Sequence, residues 1–209
     1  SLLFGIGFTI QYENLKKRNL LFKPFFRRRM FWLMIFGGIH LSLIWLGDIL
    51  TLYAILGFAL LNFVESDNKK LLKWAGILIL LPILNTIIIH FLKFDYVVFF
   101  FKTNGNLATY FNLPTTEFNG LKMTDLKAGF QNQSLLTFFK TNICDLFIRI
   151  GFILYEGRPF KVLGIFLIGI WSGRQIIHHD LLNNNALLKK IALYGILIGL
   201  PISILRTYL

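Results

Sequence analysis

"GGIHLSLIWLGDILTLYAILG", residues 37–57, sets a histidine and an aspartate into an otherwise apolar run. The Gly47–Asp48 pair divides that run into two stretches that read as consecutive helices in lipid. His40 and Asp48 then need a reason to be there. They are either a site or the polar pins of a helix pair.

Composition supports a lipid setting. Of 209 residues 56% are hydrophobic and 15% charged, and mean hydropathy is +0.64. An ordinary soluble domain is about 45–50% apolar and about 25% charged. Phe occurs 23 times, a habit of lipid-facing helices. The fold class expected is all-α: one polytopic transmembrane bundle over residues 1–209 with about six spans. The chain starts at Ser1 inside an apolar run and stops at Leu209 inside another, which reads as an internal piece of a longer protein. The single cysteine, Cys144, excludes an internal disulfide and a cysteine metal cluster. No metal site is expected.

The spans fall at residues 1–12, 30–46, 49–64, 74–92 (with Pro82 inside), 162–177 and 191–208. Residues 93–137 read as a long polar loop. Residues 138–155, "FFKTNICDLFIRIGFILY", are long enough to span but carry Lys140, Asp145 and Arg149. A charge at a helix centre costs about 2.5–3.5 kcal/mol even on insertion scales, so an interfacial amphipathic helix is favoured there. Asp145 and Arg149, four apart, can pair.

Loop charge gives the orientation. The loop at 13–29 holds Lys16, Lys17, Arg18, Lys23, Arg27, Arg28 and Arg29, and the loop at 65–73 holds Lys69, Lys70 and Lys73. Positive segments stay inside, which makes both loops cytoplasmic and 93–137 extracytoplasmic. If 138–155 does not cross, Arg174, Lys189 and Lys190 are inside as well. The net charge of +12 is explained by topology and anionic lipid headgroups, so lipid is the expected partner and nucleic acid is not.

Asp48 is well placed to cap the helix that follows, beside the positive end of its dipole. His40 has no such role, and an intramembrane ionisable residue is a functional hypothesis by default. His90, on the span with Asn85, Thr86 and Pro82, gives a second polar face, and a cavity open to the outer side would join the two histidines. Gly169-x-x-x-Gly173 and Gly195-x-x-x-Gly199 have the spacing of close helix packing, either within the chain or in a homo-oligomer. His178-His179-Asp180 reads as solvated loop rather than a metal site. No Walker loop, HExxH, GxSxG or dinucleotide fingerprint is present, so ATP-driven pumping and soluble-type hydrolysis are not encoded in this stretch.

The stretch "RRRMFWLMIFGGIHLSLIWLGDILTLYAILGFALL" resembles the YeiB family of bacterial inner-membrane proteins, which carry a domain of unknown function. The matching features are paired arginines before a span, Gly-x-x-His within it, Gly-Asp-Ile-Leu at the turn and Tyr-Ala-x-x-Gly after it. "SLLFGIGF" and "VLGIFLIGIWSGR" resemble two further helices of that family, the latter through Gly164, Gly169 and Arg174. The family is also remotely similar to membrane acetyltransferases that include heparan-α-glucosaminide N-acetyltransferase. The resemblance implies transfer of an acyl group from a cytoplasmic thioester donor, acyl-CoA, to an extracytoplasmic acceptor. His40 and Asp48 are then the candidate catalytic pair. Arg27, Arg28 and Arg29 would meet the donor's phosphates, with Tyr53, His90 and Arg174 as further binding residues. A small-molecule or lipid transporter, or a non-catalytic membrane protein, is the alternative.

Overall fold

Phe22, Phe26 and Met30 recur every fourth residue, and that spacing shapes one end of the molecule. The computed structural model describes residues 1–43, 49–92, 96–118, 120–125, 134–179, 189–190, 193–197 and 199–201. In it the three side chains lie on one buried stripe of a helix, while Arg27, Arg28 and Arg29 point outward. A stripe at this spacing is the mark of an amphipathic helix. Most of the expected basic loop is therefore helical.

The chain folds as α1 (Leu2–Lys17), α2 (Phe22–Leu43), α3 (Leu50–Leu60) extended by a 3-10 turn (Leu61–Phe63), α4 (Asn68–Leu92), α5 (Tyr96–Tyr110), strands β1 (Thr115–Phe118) and β2 (Leu121–Thr124), α6 (Leu135–Tyr155) and α7 (Arg158–His179). Turn chemistry separates the elements. After α1, Asn19 takes φ 54°, and the Asn19 and Leu20 amides donate back to Lys16 O and Leu15 O. After α5, Asn112 takes φ 54°, and the Asn112 and Leu113 amides donate to Thr109 O and Ala108 O. Both are left-handed helix ends of the Schellman type, in which asparagine substitutes for glycine.

α1 and α7 run side by side at backbone contact. A Cβ on Gly5 would lie 2.2 Å from Phe166 O, one on Gly169 would lie 2.4 Å from Leu2 O, and one on Gly173 would meet Thr9. Thr9 Oγ1 donates to Ile170 O across this seam. Gly169-x-x-x-Gly173 is thus filled from within the chain. Around the seam an aromatic core forms: Phe4 stacks on Phe166 at 4.5 Å, and Tyr53 meets Phe166 edge-on at 5.0 Å. Phe8 packs edge-on against Phe22 and Phe26. Burial of one such ring stabilises by about 1.5–3 kcal/mol.

α7 packs antiparallel to α4. Gly164 faces Ala75 and Ile79, and Gly157 faces Pro82. A smaller layer is built by α5, the antiparallel β1–β2 hairpin and α6, around Ala108, Leu113 and Cys144. The hairpin pairs Thr115 with Thr124 and Glu117 with Lys122. Residues 93–137, read as loop from sequence, thus hold a helix and a hairpin.

The helical class is found, but about six spans are not. Among the described residues two helices are long and apolar enough to cross a membrane, Asn68–Phe91 and Arg158–His178. The reason lies in where the helices begin. α2 starts within the basic segment, so its charge-free part, Met30–Leu43, reaches only about 21 Å of the roughly 30 Å needed. The apolar run Leu50–Phe63 is equally short, and α1 carries Glu13, Lys16 and Lys17 within its 16 residues. α6 is not among the two. Most of 191–208 lies outside the described residues. α4 differs from a soluble core helix in that only 11% of its apolar window is buried; Leu80, Ile83, Leu84 and Phe91 all stand exposed.

Candidate functional site

Arg174 sits where three segments meet. Its Nη1 donates to Ser66 O at 2.6 Å and Asn68 Oδ1 at 3.1 Å, and Nη2 donates to Val64 O at 2.8 Å. The carbonyls of Val64 and Ser66 follow directly on the α3 extension, where a cation offsets the negative end of the helix dipole. A polar cavity of about 480 Å³ opens beside this clamp, lined among others by Tyr12, Glu13, Lys16, Asp67, Arg174 and His178. An adjoining apolar cavity of about 270 Å³ shares Tyr12, Lys16, Val64 and Glu65 with it and runs along Leu20–Pro24. Lys23, at its rim, pairs with Glu65 at 3.1 Å. The segments expected to be cytoplasmic therefore converge at one end.

A second polar cluster lies buried in the smaller layer. Asn104 on α5, Thr124 on β2 and Asp145 on α6 are 0%, 5% and 3% exposed. Asn104 Nδ2 donates to Thr124 Oγ1 at 2.7 Å and to Asp145 Oδ1 at 3.3 Å. The Thr124 amide donates to Asn104 Oδ1 at 3.0 Å, and its hydroxyl donates to Asp145 Oδ1. Asp145 Oδ2 is buried without a hydrogen-bond partner. Burial pushes the Asp145 carboxyl above the usual carboxylate range, and the bonds from Thr124 and Asn104 pull it only part of the way back. Burial, then the neighbouring Asp145, pushes the Cys144 thiol up to about 11. By spacing alone Asp145 can pair with Arg149. Its hydrogen bonds go to Asn104 and Thr124 instead, and the field of Arg149 reaches Glu156.

The residues singled out in the sequence are dispersed. His40 is half-buried on α2, one turn beyond Gly37, which packs on Leu50 and Thr51 at the start of α3. Asp48 lies outside the described residues, and α3 begins from Ile49 without a side-chain cap. His90 is exposed near the end of α4, its ring against Phe91. α2 packs on α3 and α4 on α7, so the packing that places each histidine is separate. Tyr53 belongs to the aromatic core and is hydrogen-bonded to Ser1 Oγ. Arg27, Arg28 and Arg29 are exposed on α2, with Arg27 one turn beyond Lys23.

Asn85, expected on a polar cavity face, is a tertiary cap. Its amide donates to Leu154 O and Tyr155 O, the last carbonyls of α6, and its Oδ1 accepts from Tyr96 OH. His178, expected in a solvated loop, lies in the last turn of α7 and lines the polar cavity. Sequence reading also missed Tyr12, Glu13 and Asp67. The signal available was the run Glu65-Ser66-Asp67-Asn68, which breaks the apolar text just where Arg174 needs acceptors.

Among known proteins, the uncharacterised protein YxaH of Bacillus subtilis strain 168 is 48% identical to this chain over 81 residues. That stretch is 39% of the chain and 20% of YxaH, so the chain spans about a fifth of the length of that relative. No family model matches the chain, and no solved structure matches it. The likeness to the YeiB family rests on its motifs.

Proposed function

We propose that the chain comes from a multi-pass protein of the bacterial cytoplasmic membrane, of the YeiB type, that transfers an acyl group from a cytoplasmic thioester donor to an acceptor on the outer side. The membrane part is supported by α4 and α7, above all by the exposed apolar surface of α4. The observation that carries the chemistry is the apolar cavity along Leu20–Pro24, with Lys23 at its rim and the exposed Arg27–Arg29 one turn further along α2. A thioester donor has the same two-part character. Its phosphates would meet Lys23 and Arg27–Arg29 on the outer face of α2, because Glu13, Glu65 and Asp67 in the polar cavity would repel them. His40 lies thirteen residues, about 20 Å, along α2 from Arg27. That separation suits a base acting on the acceptor side, where a neutral imidazole takes the acceptor's proton.

Transport is the second reading, and one observation favours it. The α6–α7 turn, with the Glu156–Arg158 ion pair, sits against Pro82 partway along apolar α4 and borders a cavity of about 460 Å³. Helix breaks beside an apolar span are a feature of transporters.

The test is to incubate purified full-length protein with radiolabelled acetyl-CoA and follow transfer or donor hydrolysis. Turnover that is lost in His40→Ala, in protein that still folds, supports acyl transfer. No donor binding at millimolar concentration would refute it and leave solute flux in proteoliposomes as the measurement to make.

A further inference from the structure

We propose that Asp145 is a proton-binding site that latches the β1–β2 hairpin to α6: the closed cluster holds the carboxyl in its protonated form, and loss of that proton to solvent base releases Thr124. The proposal does not depend on the acyl-transfer reading.

The cluster joins three elements through one oxygen. Asp145 Oδ1 accepts from Asn104 Nδ2 and from the Thr124 hydroxyl, while the Thr124 amide donates to Asn104 Oδ1. Oδ2 is buried and bare of hydrogen bonds. A carboxylate in this place would have two neutral donors on one oxygen and none on the other, at 3% exposure. An ionised carboxyl taken out of water with so few donors is strongly disfavoured. The neutral acid meets the same two donors without the charge. The two donors on Oδ1 favour the charged form but offset its burial only in part, so a carboxylate gains by opening the cluster to water, and that opening parts β2 from α6.

The surrounding charges do not replace the proton. On α5, Lys102 is exposed, and on β2, Lys122 is exposed; both line a separate surface cleft with Gly105 and Thr109. Asp125 follows Thr124. On α6 itself Cys144 is adjacent and Arg149 is one turn on. α2, which also packs on α6, carries His40, and α7 begins with Arg158 and Lys161. For an acid raised in the folded state, the stabilisation is full below the ordinary carboxyl range and is lost as pH rises toward the raised value. The latch is therefore closed in acid and opens toward alkali.

Cys144 makes the test possible. It is the single cysteine, it is fully buried beside Asp145, and it packs with Ala108 and Leu113 under the hairpin. The full chain in detergent is labelled with a small neutral thiol reagent from about pH 5 to about pH 9, with Asp145→Asn as the reference that removes the intrinsic pH dependence of thiol reactivity. The expected result is a wild-type to Asp145→Asn rate ratio that climbs by up to about tenfold per pH unit above the ordinary carboxyl range and then levels off. A ratio that stays constant over the whole range overturns the latch. If Asp145→Asn does not fold, tryptic cleavage after Lys122 in the wild type, normalised to cleavage after Lys69 and Lys70, gives the same reading: a rise with pH supports the latch, and a flat ratio overturns it.

Discussion

Replacing Arg174 separates a clamp from a ligand. The guanidinium supplies three charge-assisted bonds, two of them to the carbonyls of Val64 and Ser66, residues only 3% and 8% exposed. A hydrogen bond to a charged group contributes about 1.5–3 kcal/mol. The side chain is half-exposed, so water recovers part of each bond and the sum must be cut by roughly half. Arg174→Met should then cost about 3 kcal/mol. Arg174→Lys keeps a cation at the helix end but not the forked geometry, and should cost about 1–2 kcal/mol. At about 2–4 °C per kcal/mol for a chain of this size, Tm in detergent falls by about 6–12 °C for the first variant and about 2–8 °C for the second. The assay is a thermal scan of both variants beside the wild type. An Arg174→Met protein melting within about 2 °C of the wild type would refute the clamp. Arg174→Lys with unchanged Tm but lost ligand binding would return Arg174 to the binding role expected from sequence.

Gly169→Ala places a methyl 2.4 Å from Leu2 O, so α1 must move off α7; a loss of about 1–3 kcal/mol is expected from overpacking, read as a lower Tm, and an unchanged Tm would show that α1 is free to shift. Cysteines introduced at Asn68 and Asn106, in a Cys144→Ala background, should be labelled from opposite sides of the membrane. Labelling of both from one side would overturn the orientation. The Arg158 guanidinium beside Glu156 holds that carboxyl below its ordinary range, so its contribution is present above that range and lost as pH falls through the lowered value. Glu156→Gln should therefore lower stability slightly in the neutral region, where the ion pair contributes, and flatten the acid limb of a stability–pH curve.

The sequence conveyed the helices well, because hydropathy is a sum over local text. It conveyed span number poorly. Arg27–Arg29 look like loop as letters, and only the Phe22, Phe26, Met30 stripe shows that the helix has already begun. Small-residue spacing at Gly169 and Gly173 marked a close approach but not the partner, since Gly5 and Thr9 lie more than 160 residues away. Several polar side chains have partners that the sequence hides, for a common reason. Asn85, Arg174 and Thr9 each serve a backbone carbonyl of another helix, and carbonyls carry no letter of their own. Asp145 was legible as a charge in an apolar run, while its partners Asn104 and Thr124 fell in a segment with no periodicity to place them.

The Gly5–Gly169 contact has a consequence for biosynthesis. α1 leaves the ribosome before α7, and its matching surface is synthesised 164 residues later. At about 5–20 residues per second, the helix waits about 8–33 s with its small-residue groove open. During that interval a second nascent chain presents an identical α7, and α1 can seat there at no cost in contact quality. Crowded synthesis thus favours copies that have exchanged α1, and coexpression of tagged and untagged chains would reveal the exchange as co-purification that mixing of finished proteins does not reproduce.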